Sequence, residues 1–338
     1  MPHAVTIWLV QIHRFDPSDP DAGLLPGAGL LAAAEAERRG GLPPMPADLT
    51  LARLRAKAAT GERYILVAGD PLDPGGAAVI DVETGPVNSH IGQVTLAVAP
   101  QRRRHGIGRA LMERASRDVE ATGRTLVMTT SESSVPAGSD FAAALGFEAG
   151  LVMRVNRLDL QRLDWSQVDS WIEAAAPAYE LIRVDDVMAD EVVPAYLTAA
   201  QAMNDAPTDD LDVEDELMTV EHVRAREARL AVTKARYLLL VARHRETGEG
   251  AGFTDVRWWP HTPGVLYQGG TATSGHHRGH GLGRWMKASM LRWATAELPA
   301  ITEVRTENAH TNPHMLAIND ALGFVPYAEE TIHQRRLG

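Results

Sequence analysis

The sequence predicts an α/β protein of two similar domains, each a mixed central sheet flanked by helices, and three internal matches carry that prediction. Arg103-Arg104-His105-Gly106-Ile107-Gly108-Arg109 recurs as Arg278-Gly279-His280-Gly281-Leu282-Gly283-Arg284. Ala144-Leu145-Gly146-Phe147 recurs as Ala321-Leu322-Gly323-Phe324. Upstream, Arg63-Tyr64-Ile65-Leu66-Val67-Ala68 recurs, with an extra leucine, as Arg236-Tyr237-Leu238-Leu239-Leu240-Val241-Ala242. Matches in one order and at nearly one spacing mark a duplicated unit. A chain of 338 residues suits two domains, and the expected division is 1–158 and 159–338.

Each copy mixes strand and helix signals. In the first, Tyr64 to Ala68 and Gly76 to Val82 are apolar runs parted by Asp70-Pro71 and Pro74-Gly75, a strand–turn–strand pattern. Gln93 to Val98 is a third strand. Ile107, Ala110, Leu111, Ala115 and Val119 then recur at helical spacing until Gly123, and Thr125 to Thr129 reads as strand. The second copy repeats the plan. Tyr237 to Ala242 and Gly252 to Val256 flank a turn at 246–250, and a further strand ends near Thr273. A helix carries Leu282, Trp285, Met286, Met290 and Trp293, and Ile301 to Thr306 forms the next strand. Leu163 to Ala176 predicts a helical connector, Asp16 to Gly27 a loop, and Ala4 to Val10 a strand in place of a signal peptide.

Composition excludes several functions. The net charge of -11 opposes a nucleic-acid surface, which needs a basic face. The absence of cysteine removes disulfides, thiolate nucleophiles and thiolate metal ligands. No apolar run reaches the roughly 18 residues that span a bilayer, so the expected compartment is the cytoplasm, with no membrane partner.

The chemistry resides in a strand, then Arg-x-x-Gly-x-Gly, then a helix. Glycines let the backbone approach a bulky anion, and the unpaired N–H groups of a helix start point at it. Hydrogen bonds to charged oxygens, about 1.5–3 kcal/mol each, outweigh the helix-end field of about 0.3–1 kcal/mol. There is no Gly-Lys-Ser/Thr and no third glycine of a dinucleotide fingerprint. With Leu-Gly-Phe following each loop, the pattern resembles the GNAT superfamily of acetyl-CoA-dependent acetyltransferases, over nearly the whole chain and twice. The tandem arrangement is similar to that of mycothiol synthases, a likeness of architecture alone. The resemblance implies that Arg103, Arg104, His105, Gly106, Ile107, Gly108 and Arg109, and Arg278, Gly279, His280, Gly281, Leu282, Gly283 and Arg284, hold the diphosphate of acetyl-CoA or another acyl-CoA. It implies that the edges Leu96, Ala97, Val98 and Thr271, Ala272, Thr273 pair with the pantetheine arm.

The family's last helix commonly carries an Asn eleven residues, and a Tyr four residues, before Gly-Phe. The second copy has Asn312 and Asn319 at these positions and the first has Val135 and Ala142. The second copy therefore keeps more of the pattern and is expected to be catalytic, with the first degenerate. Asn319 can donate a hydrogen bond to sulfur but no proton; Tyr267 or Tyr327 is the alternative. Glu307, placed just past the strand Ile301 to Thr306, or His310 is the candidate base for an amine acceptor. His276, His277 and His280 are assigned to the anion site or to solvent. No metal is expected, because no carboxylate stands at an ordered spacing from them. An acidic run from Asp205 to Glu216 reads as a substrate-attracting or solvated loop, and Trp258 and Trp259 as an acceptor wall or strand-end packing. The expected activity is direct acyl transfer, most simply acetyl, from CoA to a small-molecule amine. The alternatives are a non-catalytic acyl-CoA binding protein, or transfer of another acyl group or to a hydroxyl.

Overall fold

The computed structural model describes residues 10–18, 24–56 and 61–338. The first copy runs β1 (Ile12–Phe15), α1 (Leu24–Arg38), α2 (Ala47–Arg55), β2 (Glu62–Asp70), β3 (Asp73–Val82), β4 (Ile91–Val98), α3 (Ile107–Ala121), β5 (Leu126–Glu132), α4 (Ala137–Ala144) and β6 (Glu148–Asp159). The second runs α5 (Trp165–Glu173), β7 (Tyr179–Asp185), α6 (Val193–Ala200), α7 (Val220–Val232), β8 (Arg236–His244), β9 (Gly250–Trp258), β10 (Val265–Thr273), α8 (Leu282–Glu297), β11 (Glu303–Ala309), α9 (Pro313–Leu322) and β12 (Val325–Arg336). The strand expected over Ala4 to Val10 lies almost wholly outside the described residues. The expected loop over Asp16 to Gly27 is overtaken by α1, which admits Pro26 in its first turn, where no intrahelical N–H bond is lost. The strand expected to stop at Thr306 continues to Ala309, so Glu307 stands inside β11.

The strands form one twelve-stranded sheet in the order β1-β2-β3-β4-β5-β12-β6-β11-β10-β9-β8-β7. The last strand of each copy has crossed over. β6 pairs with β11 from Glu303 opposite Asp159 to Ala309 opposite Met153, and β12 pairs with β5 from Glu330 opposite Glu132 to Arg336 opposite Leu126. The two exchanged strands also pair with each other. The division at residue 158 thus falls at the end of a strand whose partners lie in the second half. The exchange seals what would be an open sheet edge in each half.

Alternating residues of each strand face opposite layers, as the pleat requires. Ile65, Val67, Ala77 and Val79 pack under α1 and α2, whereas Leu66, Ala68, Ala78 and Ile80 pack with Leu111, Met112 and Ala115 of α3. In the second copy Tyr237, Leu239 and Val241 pack with α6 and α7, while Leu238 and Leu240 pack with α8 and with Val168 of α5. Contact between α2 and α7 puts the first helices of both copies on one face. No helix among the described residues is long and apolar enough to cross a membrane.

Candidate active site

Each copy contains a place where two parallel strands part. β4 and β5 pair only over Ile91, Gly92 and Gln93, and β10 and β11 only over Val265, Leu266 and Tyr267. Beyond those rungs the strands diverge, leaving Leu96–Val98 and Thr271–Thr273 with a free edge toward the gap. Each gap ends at one of the two glycine loops. Gly106 (φ 82°) and Gly281 (φ 75°) occupy the left-handed region, and nothing lies within 4 Å of a Cβ built on either. The loops share their bonding. Arg103 Nε donates to Val98 O and Arg278 Nε to Thr273 O, each at 3.2 Å. Their guanidinium groups bind Glu37 of α1 and Asp205 respectively. His105 Nδ1 and His280 Nδ1 lie 2.8 and 3.1 Å from the carbonyls of Arg103 and Arg278. Both helix starts therefore offer unpaired N–H groups to an anion.

The walls of the two gaps differ. β10 has one residue more than β4, taken up by a bulge between Gln268 and Thr271, and Asp255 Oδ1 accepts the Gly270 N–H at 2.9 Å. The repeat pairs Met112, Ala142 and Ser131 of the first copy with Lys287, Asn319 and Asn308 of the second. Phe141 sits against Gly108 as Ile318 sits against Gly283, which fixes that correspondence. Lys287 Nζ donates to Asn319 Oδ1 at 2.7 Å, and Asn319 Nδ2 donates to Asn308 Oδ1 at 2.5 Å. Lys287 and Asn319 are buried, and burial pushes the Lys287 ammonium down to about 7. Beside the first gap the same space is bordered by Ala142 and by Ser131, whose hydroxyl lies 2.8 Å from both Ser139 Oγ and His333 Nε2.

A cavity of about 630 Å³ runs through the first gap. It touches Thr95, Leu96 and Ala97 of β4 and Thr129, Thr130 and Ser131 of β5, and widens under α1 and α7 into a chamber reaching Tyr267 and Glu307. Thr271–Thr273 are not among its lining residues. Glu330 of β12 and Glu307 of β11 line it, and the buried Glu132 of β5 lies near Glu330, on the other side of Arg38. Arg38 Nη1 donates to Glu330 Oε2 at 3.0 Å and lies 4.0 Å from Glu132 Oε2. Burial, then the neighbouring Glu307 carboxylate, push Glu330 up to about 7 despite Arg38. Glu132 is raised in the same direction, chiefly by burial. Arg39 lies 4.9 Å from the Tyr267 ring centroid, and Trp259 meets that ring edge-on at 5.3 Å. Arg53, Arg63, Arg229 and Arg257 line a further part of the wall. Arg53 and Arg63 are paired with Glu35 and Asp81. The Arg229 side chain makes no hydrogen bond or ion pair among the described residues. Desolvation and then the adjacent arginines push its guanidinium below its ordinary value.

The structure brings Tyr267 and Glu307 together, with Trp259 beside them, in this chamber. It does not bring in the other two catalytic candidates. His310 is exposed and paired with Glu329 at 3.1 Å. Asn319 is buried, and its side chain is held in the network, accepting from Lys287 and donating to Asn308. Asn312 caps α9 by accepting the Met315 N–H at 3.2 Å. Trp258 packs on the second core and donates to Pro263 O. Glu330 and Arg38 carried no motif in the sequence. Their only signal was position: Glu330 alternates with Ala328 and Ile332 on one face of β12.

The counterpart chamber of the second copy is smaller, about 350 Å³. Tyr196, Ala200, Phe253 and the segment 213–216 line it. The acidic run around that segment is fastened. Asp209 accepts from Thr311, Asp212 pairs with Arg336, and Glu214 accepts the Asn88 N–H. Leu211 and Val213 pack against Ile91, Leu126 and Met128.

Known proteins share this fold. The model of the acetyltransferase (GNAT) domain matches residues 61–149, which span β2 to the start of β6. A tandem GNAT protein from the clavulanic acid biosynthesis pathway, solved without AcCoA, is 26% identical with a TM-score of 0.77, over 97% of this chain and 99% of that one. A GCN5-related N-acetyltransferase from Sphaerobacter thermophilus shares the fold at 14% identity and a TM-score of 0.61, over 97% and 95%. A GCN5-related glucosamine N-acetyltransferase region of a fungal multi-domain β-N-acetylglucosaminidase does so at 14% and 0.66, over 96% of this chain and 38% of that one. No curated protein matches the chain's sequence.

Proposed function

We propose that the chain, which matches the GNAT acetyltransferase domain over residues 61–149 and is similar over 97% of its length to a tandem GNAT protein, transfers an acyl group, most simply acetyl, from CoA to the amine of a small molecule, with the reaction at the first copy's gap. The observation that carries this is the cavity that passes between β4 and β5 and opens on a carboxylate-lined chamber. The sequence favoured the second copy on the strength of Asn312 and Asn319, and those side chains have structural duties.

In this reading the loop at Arg103–Gly108 holds the CoA diphosphate and the edge at Leu96–Val98 the pantetheine. The thioester then lies in the gap and the acceptor enters from the chamber. Glu330 takes the proton from the acceptor ammonium; a carboxylate titrating near 7 is matched to that task at neutral pH. The free amine attacks the thioester carbonyl, strand amides steady the oxyanion, and the C–S bond breaks. A thiolate of pKa about 8.5 needs only modest help in leaving. Ser131 offers a hydroxyl beside the gap. Arg229, without a carboxylate partner among the described residues, suits an acceptor that carries an anionic group as well as its amine.

The test is acetyl-CoA-dependent thiol release over a panel of primary amines, with and without a carboxylate, by wild type, Gly106→Trp and Gly281→Trp. Both glycines are left-handed and open, so the variants carry matched backbone strain. Gly106→Trp is expected to lose about 100-fold or more in turnover, since displacing the thioester by an ångström suffices for that, and Gly281→Trp to stay near wild type. The opposite ranking moves catalysis to the second gap. Acetyl-CoA binding with no acylation of any amine leaves the non-catalytic binding reading standing.

A further inference from the structure

The second copy holds a side-chain cluster that the first lacks, at the root of its glycine loop. A short turn, Gly275–His277, precedes that loop. Glu249, on the turn between β8 and β9, reaches it. One Glu249 oxygen lies 2.8 Å from His276 Nε2 and the other 3.6 Å from His277 Nε2. One ligand atom from each of the three residues falls within 4.8 Å of the others. We propose that Glu249, His276 and His277 form a binding site for a divalent transition-metal ion of the zinc class, clamping the β8–β9 turn to the second diphosphate loop.

Three observations support the site beyond proximity. His277 is 8% exposed, and its Nε2 has no hydrogen-bond partner although it faces the Glu249 carboxylate. A buried polar atom left unpaired costs free energy that a metal bond would recover. Its other nitrogen, Nδ1, lies 3.1 Å from Tyr179 Oη. With the proton on Nδ1 donated to the tyrosine oxygen, Nε2 presents its lone pair toward Glu249. An outer hydrogen bond of this kind orients metal-binding histidines. Finally, the first copy joins the corresponding elements by an ion pair, Arg102 to Asp73. The same joint is thus made in one half by opposite charges and in the other by three groups that all ligate metals. Two imidazoles and a carboxylate are a donor set for zinc, cobalt or nickel, with a further position left to water.

The site is tested on the full chain by titration with Co2+ and Zn2+, reading the visible absorption of bound cobalt and calorimetric stoichiometry, for wild type, Glu249→Gln and His277→Ala. Far-UV circular dichroism accompanies each variant, and Glu249→Gln, on an exposed turn, serves as the variant that keeps the fold. One equivalent of cobalt displaced by zinc, with loss of that equivalent in both variants, is the expected result. Zinc should also raise the melting temperature of wild type and not of Glu249→Gln. Absence of saturable binding overturns the site. So does binding that survives both substitutions.

Discussion

The two halves share their loops and their diverging strands, and differ in what stands beside each gap. Near the first gap the side chains are Met112, Ala142 and Ser131, and a cavity passes through. Near the second the equivalents are Lys287, Asn319 and Asn308, hydrogen-bonded to one another. Both halves present the same glycine loop at a helix start, because that conformation comes from local backbone geometry. Whether an acceptor can reach the acyl group is set by the walls, which come from other elements.

Substitutions at the walls sharpen this contrast. The largest effect is expected at Glu330. Glu330→Gln should lower kcat/KM by about 100-fold or more and abolish the rise of activity with pH through about 7. Its carboxyl is raised from 4.5, so its stabilising contribution is present below pH 4.5 and is lost as pH rises through about 7. Glu330→Gln should therefore melt higher than wild type at pH 8 and not at pH 4. An inactive variant with no such pH-dependent gain would place Glu330 in the architecture and not in proton transfer.

Next comes the buried network of the second half. Asn319→Ala removes the acceptor of a buried ammonium and should cost about 3 kcal/mol or more in denaturant unfolding. Lys287→Met with Asn319→Ala imports the Met112–Ala142 pair of the first half and should recover most of that loss. The Lys287 amine is depressed from 10.5 to about 7, so its stabilising contribution is present above pH 10.5 and is lost as pH falls through about 7. The double variant should therefore gain most on wild type below pH 7 and progressively less toward pH 10. Equal gains at every pH would show that folding does not depress the Lys287 amine.

The smallest effect is expected at the fastened acidic segment. Asp209→Asn weakens an exposed contact to Thr311 and should change stability by less than about 0.5 kcal/mol. A larger loss would make the segment a structural clasp between the halves.

Much of the fold was legible because its signals are local. The paired matches around Gly106 and Gly281 fixed the duplication, and alternating apolar runs fixed the strands from Tyr64 to Thr129 and from Tyr237 onward. The left-handed glycines gave the loops away, since few other residues adopt that backbone. The walls were not legible. Asn319 matched a family position by count, yet its side chain is claimed by Lys287, from another helix. Glu307 was placed past a strand end because the polar run Thr306-Glu307-Asn308 masks continued pairing with β6. The histidines at 276 and 277 were dismissed for want of a nearby carboxylate, and folding supplies one, 27 positions from His276, from a turn.

By itself, then, the sequence determined a duplicated α/β chain with two glycine loops at helix starts, because backbone conformation, strand alternation and helix starts depend on near neighbours. The tertiary structure decided the exchange of β6 and β12, the meeting of Glu132, Glu307 and Glu330, and the half in which a cavity crosses the sheet. Those outcomes depend on which distant segments share a face, and strand register, helix packing and the desolvation of polar groups select that only once the whole chain is assembled.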